Sequence, residues 1–303
     1  MKEQYYTVAE HTFCLRMTED EPLWFSLATA YAPFRIKISD SLIPLFILTV
    51  YDLTSLTQHP AEPFLLEQTG VDGNLFRYYQ SAGYHWFEDF SPAGELNGVL
   101  HVNREMKSAV LYACTNPVRR RLMTDYGMML MYILNTICLD TVVMHASVVV
   151  NDGKGYLLLG KSGTGKSTHC NLWKRYVPGS DCLNDDHPVV RIVGDVPMVY
   201  GSPWSGKTAC YRNWSVPVNG FIRLRQSHRN HICRLVPLEA YASLSAGSAA
   251  MTWNEDHADA KDCIIQYLVQ KISCWLLECL PDKAAACLCA DTVRKEAQIC
   301  RNG

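Results

Sequence analysis

Tyr156-Leu157-Leu158-Leu159-Gly160-Lys161-Ser162-Gly163-Thr164-Gly165-Lys166-Ser167-Thr168 reads as a buried strand running into a glycine-rich turn and then a helix. From Gly160 to Ser167 the spacing is G-x-x-x-x-G-K-S. Gly160, Gly163 and Gly165 let the backbone curl with its N–H groups inward, in conformations that a Cβ penalises. A helix beginning near Lys166 adds its positive N-terminal end and free N–H groups. Lys166 supplies a mobile point charge for β- and γ-phosphates, and Ser167 a hydroxyl for Mg²⁺. Gly160, Ser162, Gly163, Thr164, Gly165, Lys166, Ser167 and Thr168 form the expected cradle. This pattern implies a bound nucleoside triphosphate, ATP or another, with Mg²⁺.

The strand before that loop has a partner. Val142-Val-Met-His145-Ala-Ser-Val-Val-Val150 is separated from it by Asn151-Asp-Gly-Lys-Gly155, which reads as the connection of an antiparallel hairpin. A Rossmann domain would enter by a βαβ unit instead. If Val150 faces Tyr156, His145 falls opposite Lys161, beside the turn, and is expected near the γ-phosphate. Beyond the loop, Ser167 to Tyr176 reads as a short helix ended by Pro178-Gly179. The next strand, Asp181-Cys-Leu-Asn-Asp185-Asp186, is expected to run parallel to the first and to bring both carboxylates to the phosphate edge. A metal ion and a general base are needed there.

The rest of the chain sets bounds. With 303 residues, 48% hydrophobic and 19% charged, it has the composition of a folded protein of one large or two ordinary domains. A formal charge of −2 gives no general attraction to nucleic acid or to an anionic membrane. There are thirteen cysteines and no C-x-x-C pair, which favours buried thiols in a reducing cytoplasm over zinc or disulfides. The apolar runs Leu42–Val50 and Met128–Leu139 fall short of the ~18 residues of a membrane span and are expected in a folded interior.

Residues 1–115 read as a β-rich N-terminal domain of unknown role, and 116–303 as a nucleotide-binding domain. Asn116 caps and Pro117 starts a helix running to Leu139, in which the methionines are core filler and Gly127 marks close packing. The arginine- and histidine-rich run from Arg223 to Arg234 reads as a solvated face. It lacks the interleaved aromatics of a nucleic-acid surface. The terminal third alternates helix (259–272), strand (273–280) and helix (281–297).

From His145 to Lys207 the sequence resembles the superfamily of bacterial HPr serine kinases and phosphoenolpyruvate carboxykinases. The residues that carry the resemblance are Met144-His145-Ala-Ser, the Gly160–Thr168 loop, Asn184-Asp185-Asp186-His187 and Gly201-Ser-Pro-Trp-Ser-Gly206. The first and last look more like the HPr-kinase-type branch. The resemblance implies an α/β fold with a mixed β-sheet P-loop kinase core, and an ATP- and Mg²⁺-dependent kinase acting on a hydroxyl, such as a serine, of a protein, peptide or small metabolite. It implies that Lys166 holds phosphates and Ser167 the metal, that Asp185 is the base, that Asp186 (with Asp185) supports metal, and that His145 orients the γ-phosphate or the base. Thr168 and Lys207 depart from the pattern, standing where relatives carry acids. Lys207 and Arg212 are then candidates for binding an anionic acceptor. A homo-oligomer is left open. The rival readings are a non-catalytic nucleotide-binding regulator and a carboxykinase-like enzyme.

Overall fold

A computed structural model describes residues 1–37, 43–58, 63–70, 73–206 and 208–299. The chain forms two compact units, Met1–Asn135 and Thr136–Gly303. The sequence reading set its boundary earlier, at residue 115. The helix after that point belongs by its contacts to the first unit.

The first unit contains strands β1 (Lys2–Val8), β2 (His11–Met17), β3 (Arg35–Ile36), β4 (Ile47–Asp52), β5 (Leu66–Thr69), β6 (Leu75–Ser81), β7 (Tyr84–Phe90), β8 (Leu96–Val102) and β9 (Ser108–Ala113), with helices α1 (Leu23–Tyr31) and α2 (Pro117–Thr136). Among the described residues its sheet has nine strands, in the order β3-β1-β2-β4-β9-β8-β7-β6-β5. The pairs β2–β4 and β4–β9 are parallel. Asn116 caps α2 as expected, its side chain accepting from the N–H groups of Val118 and Arg119. Gly127 is where α2 meets the sheet: a Cβ there would lie 3.4 Å from Leu48 and 3.6 Å from Leu100. The continuous helix and turn Pro117–Leu139 are long and apolar enough to cross a membrane by length and composition, whereas the sequence reading took its apolar run as too short. Of its most apolar window, 61% is buried inside the protein.

The second unit contains β10 (Thr141–Met144), β11 (Ala146–Asn151), β12 (Lys154–Leu159), α3 (Lys166–Tyr176), β13 (Asp181–Asp186), β14 (Val189–Val193), β15 (Val196–Tyr200), β16 (Ser215–Gln226), β17 (His231–Arg234), α4 (Pro237–Ala246), β18 (Ser248–Ala249), α5 (Glu255–Lys271), β19 (Cys274–Cys279) and α6 (Lys283–Ile299). The sheet is mixed: β12 runs parallel to β16 and β16 to β19, while the β11–β12 and β11–β13 pairs are antiparallel. Since β11 is antiparallel to both neighbours, β13 runs in the direction of β12, as the sequence predicts. The unit is a mixed α/β structure, with helices on both faces of the sheet. Val148, Val150, Leu157 and Leu159 pack with Leu244, Ile265 and Leu268 of α4 and α5. Val149, Tyr156 and Leu158 face Trp173 of α3 and Cys289 and Val293 of α6. Burial on both faces explains why these strands read as unbroken apolar runs.

The hairpin register differs from expectation by one residue. Val149 pairs with Tyr156 and Val150 with Gly155, because Asn151 and Lys154 also pair and the turn shrinks to Asp152-Gly153. Both turn residues have positive φ, 50° and 69°, the conformation of the tight Asp-Gly hairpin. By this register His145 lies level with Gly160, one place short of Lys161. It stands between β10 and β11, and its N–H is bonded to the Gly247 carbonyl at 2.7 Å.

Candidate active site

The loop from Gly160 to Gly165 joins the end of β12 to the start of α3. Gly160 has φ 152°, and a Cβ on it would sit 2.5 Å from Thr164 Oγ1. Thr164 closes the turn, its hydroxyl donating to the Lys161 carbonyl at 2.7 Å. Gly165, φ 101°, precedes the helix without a side-chain cap, and the first turn of α3 holds no acidic residue. Its first N–H groups and positive dipole end therefore have neither a side-chain cap nor an acid of that turn beside them, while Lys174 and Arg175 complement the other end. Gln226, ending β16, donates to the Gly163 carbonyl at 3.1 Å and ties the loop to the sheet. Ser162 and Thr168 are exposed, and Ser167 is half-buried.

Lys166 folds back over this loop. Its Nζ donates to the Gly160 carbonyl at 2.9 Å and lies 3.1 Å from His145 Nε2. That same imidazole nitrogen lies 3.3 Å from Asp186 Oδ1. One ring nitrogen cannot accept from the ammonium and donate to the carboxylate at once, so the proton on His145 selects its partner. On the other side of Asp186, Oδ2 lies 3.3 Å from His187 Nδ1. Burial alone would raise the Asp186 carboxyl, but the hydrogen bonds of His145 and His187 hold it well below the usual carboxylate range. Burial also lowers the Lys166 ammonium, against the pull of Asp186 and Asp185. Asp186 has a φ of 155°, rare for a residue with a side chain.

Asp185 sits differently. It is buried at 4% exposure, and its Oδ1 accepts the Ser147 hydroxyl at 2.6 Å. The β11–β13 register sets that contact, pairing Ser147 with Asp185 and Ala146 with Asp186. The Gly201–Gly206 loop is bonded to the backbone of Asp185 and His187. The Gly206 N–H donates to the Asp185 carbonyl at 2.6 Å, and Ser202 Oγ donates to the His187 carbonyl at 2.6 Å. Gly201 has no alternative, since a Cβ there would lie 1.9 Å from the Arg212 carbonyl oxygen.

The fold thus brings His145, Lys166, Ser167, Asp185 and Asp186 to one end of the sheet. Arg212 is held in an ion pair with Asp181 at the start of β13, away from the Asp186 cluster along that strand. Lys207 lies outside the described residues. Ser147 and His187 were quoted in the motifs without a role. The cross-strand register assigns the first, and adjacency to Asp186 the second. The Arg223–Arg234 run is a surface, with Arg225 paired to Glu278. All described cysteines are free thiols.

No protein-family model matches the sequence, and none of the curated proteins matches it. Among solved structures, the HPr(Ser) kinase/phosphatase from Coxiella burnetii aligns over 53% of this chain and 93% of its own, at 13% identity and a TM-score of 0.32.

Proposed function

We propose that the second unit is an ATP- and Mg²⁺-dependent phosphotransferase that moves the γ-phosphate to a hydroxyl acceptor. The observation that carries this reading is the meeting of Lys166, Asp186 and Asp185 at the open end of β12, β13 and α3. Lys166 Nζ is 3.1 Å from an imidazole nitrogen that is itself 3.3 Å from Asp186. A cation for the phosphates, a depressed carboxylate and a second, buried carboxylate thus share one edge, as phosphoryl transfer requires.

Each group has its own task. Lys166 exchanges the carbonyls of its own loop for phosphate oxygens, alongside the free N–H groups at the start of α3. As Lys166 turns away, His145 Nε2 is left to donate to Asp186 and keeps that carboxylate ionised. Asp185, with Oδ1 fixed by Ser147, presents Oδ2 to the acceptor hydroxyl and takes its proton. The Ser167 hydroxyl and the Asp185 and Asp186 carboxylates are hard oxygen donors, which fits Mg²⁺, a cation that takes one or two carboxylates and shares its shell with phosphates. When bound, Mg²⁺ neutralises phosphate charge.

The test is incubation of the purified protein with Mg²⁺ and γ-labelled ATP, with and without hydroxyl compounds and a cell lysate. Label on an acceptor, absent with Asp185→Asn, supports the reading. Nucleotide that binds while its label never moves would sink it and leave a nucleotide-binding regulator.

A further inference from the structure

A pocket of about 280 Å³ opens beside Ser167 and Asp185 and runs back along α3 and β13 to Lys174 and Arg212. It is near the lower end of the size range of small-ligand sites. Resting on the phosphotransferase reading, we infer that this pocket holds the acceptor, and that the acceptor is a small hydroxy acid with a single carboxylate.

Three features of the walls define that chemistry. At one end lies Asp185, whose Oδ1 is occupied by Ser147, so that an acceptor hydroxyl has Oδ2 to donate to. Along the middle are the thiols of Cys170, Cys182 and Cys210, all buried. The Cys210 thiol donates to the Cys182 carbonyl. Its hydrogen bonding with Cys182 and its burial keep the Cys210 proton on, while a hydrogen bond with Cys170 and burial keep the Cys182 proton on against the opposing effect of Cys210. Neutral, weakly polar sulfur suits a short carbon skeleton and not a charged one. At the far end are two cations, Lys174 and Arg212, against the one carboxylate of Asp181, which pairs with both. Asp181 orients the two cations and cancels one of their charges. One positive charge is left over. That balance suits a carboxylate, whereas a phosphate dianion would be under-neutralised and would also face Asp185 within the same small space.

The transfer balances without a further reactant. The acceptor O–H attacks the γ-phosphorus of the nucleoside triphosphate, and the new O–P bond forms as the bridging O–P bond breaks. The proton passes to Asp185, and the diphosphate leaves with the bond's electron pair. The product is a phosphorylated hydroxy acid.

The experiment compares glycerate and 3-hydroxypropionate with their uncharged amides and with a serine-containing peptide, each with Mg²⁺ and γ-labelled ATP. The acids are expected to be phosphorylated with kcat/KM about 10–100-fold above the amides, the discrimination of one charge-assisted contact. Lys174→Ala and Arg212→Ala are each expected to raise KM for the acids and shrink the acid-to-amide ratio towards one. Lys174 is 42% exposed, so its variant reports even if loss of the Arg212–Asp181 pair disturbs folding. Arg212→Lys should restore part of the ratio. Equal use of acid and amide, or transfer confined to the peptide or to lysate proteins, overturns the inference and leaves the phosphotransferase standing. Loss of the phosphotransferase reading is seen separately, as nucleotide that does not bind, or that binds while its label moves to none of these acceptors.

Discussion

Both units bury charge, and they do so in opposite ways. In the first, Arg120 of α2 is buried at 7% exposure and engages partners from three other segments. Its guanidinium pairs with Glu21 at 2.7 Å and Asp52 at 2.9 Å, and it donates to the Ala113 carbonyl at 2.9 Å. Nearby, Asp89 accepts from Asn97 and Asn74. Each of these donors has its acceptor within the fold. In the second unit Lys166 borrows carbonyls from its own loop, while His145 and Asp186 keep 39% and 34% of their side-chain surface open. Buried ion pairs alone mark no site. They do so where the partners are provisional and one side faces solvent.

The sharpest way to break this contrast is Lys166→Ala. It should abolish nucleotide binding, read by calorimetry, and with it all label transfer. A variant that keeps full activity would remove the distinction between the two units. Asp185→Asn comes next. It should bind nucleotide normally yet lose transfer by ~10² or more, as for loss of a general base. Normal turnover would hand the base role to Asp186 or another group. A smaller effect, of another kind, belongs to the closed cluster. Arg120→Met strands the mostly buried Glu21, while the exposed Asp52 keeps water, and should cost about 2 kcal/mol of stability in the first unit. The expected signature is an earlier thermal transition with nucleotide affinity unchanged. A fall in affinity instead would show that Arg120 is part of a functional site.

How far these regions could be read in advance follows from how local their causes are. The Gly160–Ser167 loop carries its own explanation, since three glycines and a helix start within a few residues define its shape. The strand direction of β13 followed from a short helix and a turn. The hairpin register did not, because Asn151 and Lys154 looked like turn residues and in fact pair, so every facing residue moved by one. Ser147 was invisible for the same reason: its partner Asp185 is set by register between strands with α3 and β12 intervening. Helix α4 was not anticipated, although Pro237 at its first position and Glu239 reaching back to the Val236 N–H are ordinary start signals. In the first unit, the reading of residues 1–115 as β-rich did not extend to the order of the strands. The parallel β2–β4–β9 centre depends on contacts between distant segments, and no local pattern encodes it.

One group in the first unit breaks the rule of closure, and it offers the subtlest prediction. Asp125 of α2 has a buried Oδ1 with no hydrogen-bond partner, and its ion pair with Arg121 is long at 3.6 Å. Burial lifts its carboxyl from the usual 3.8 to about 6, more than its hydrogen bond with Tyr31 and the charge of Arg121 lower it. Between those pH values the folded protein keeps a proton that the unfolded chain has released. The stability contributed by this group is therefore full below pH about 3.8, declines as pH rises towards 6, and stays lost above it. Asp125→Asn carries no ionisable proton and keeps an acceptor for Tyr31. It should match the wild type in acid and exceed it by about 1–3 kcal/mol above pH 6, with phosphoryl transfer unaltered. Thermal melts at pH 4 and pH 7.5 would check this. A gain at both pH values would place the strain in packing and not in charge. A loss of transfer would mean that Asp125 is poised for chemistry, and that buried charge in the two units serves one purpose after all.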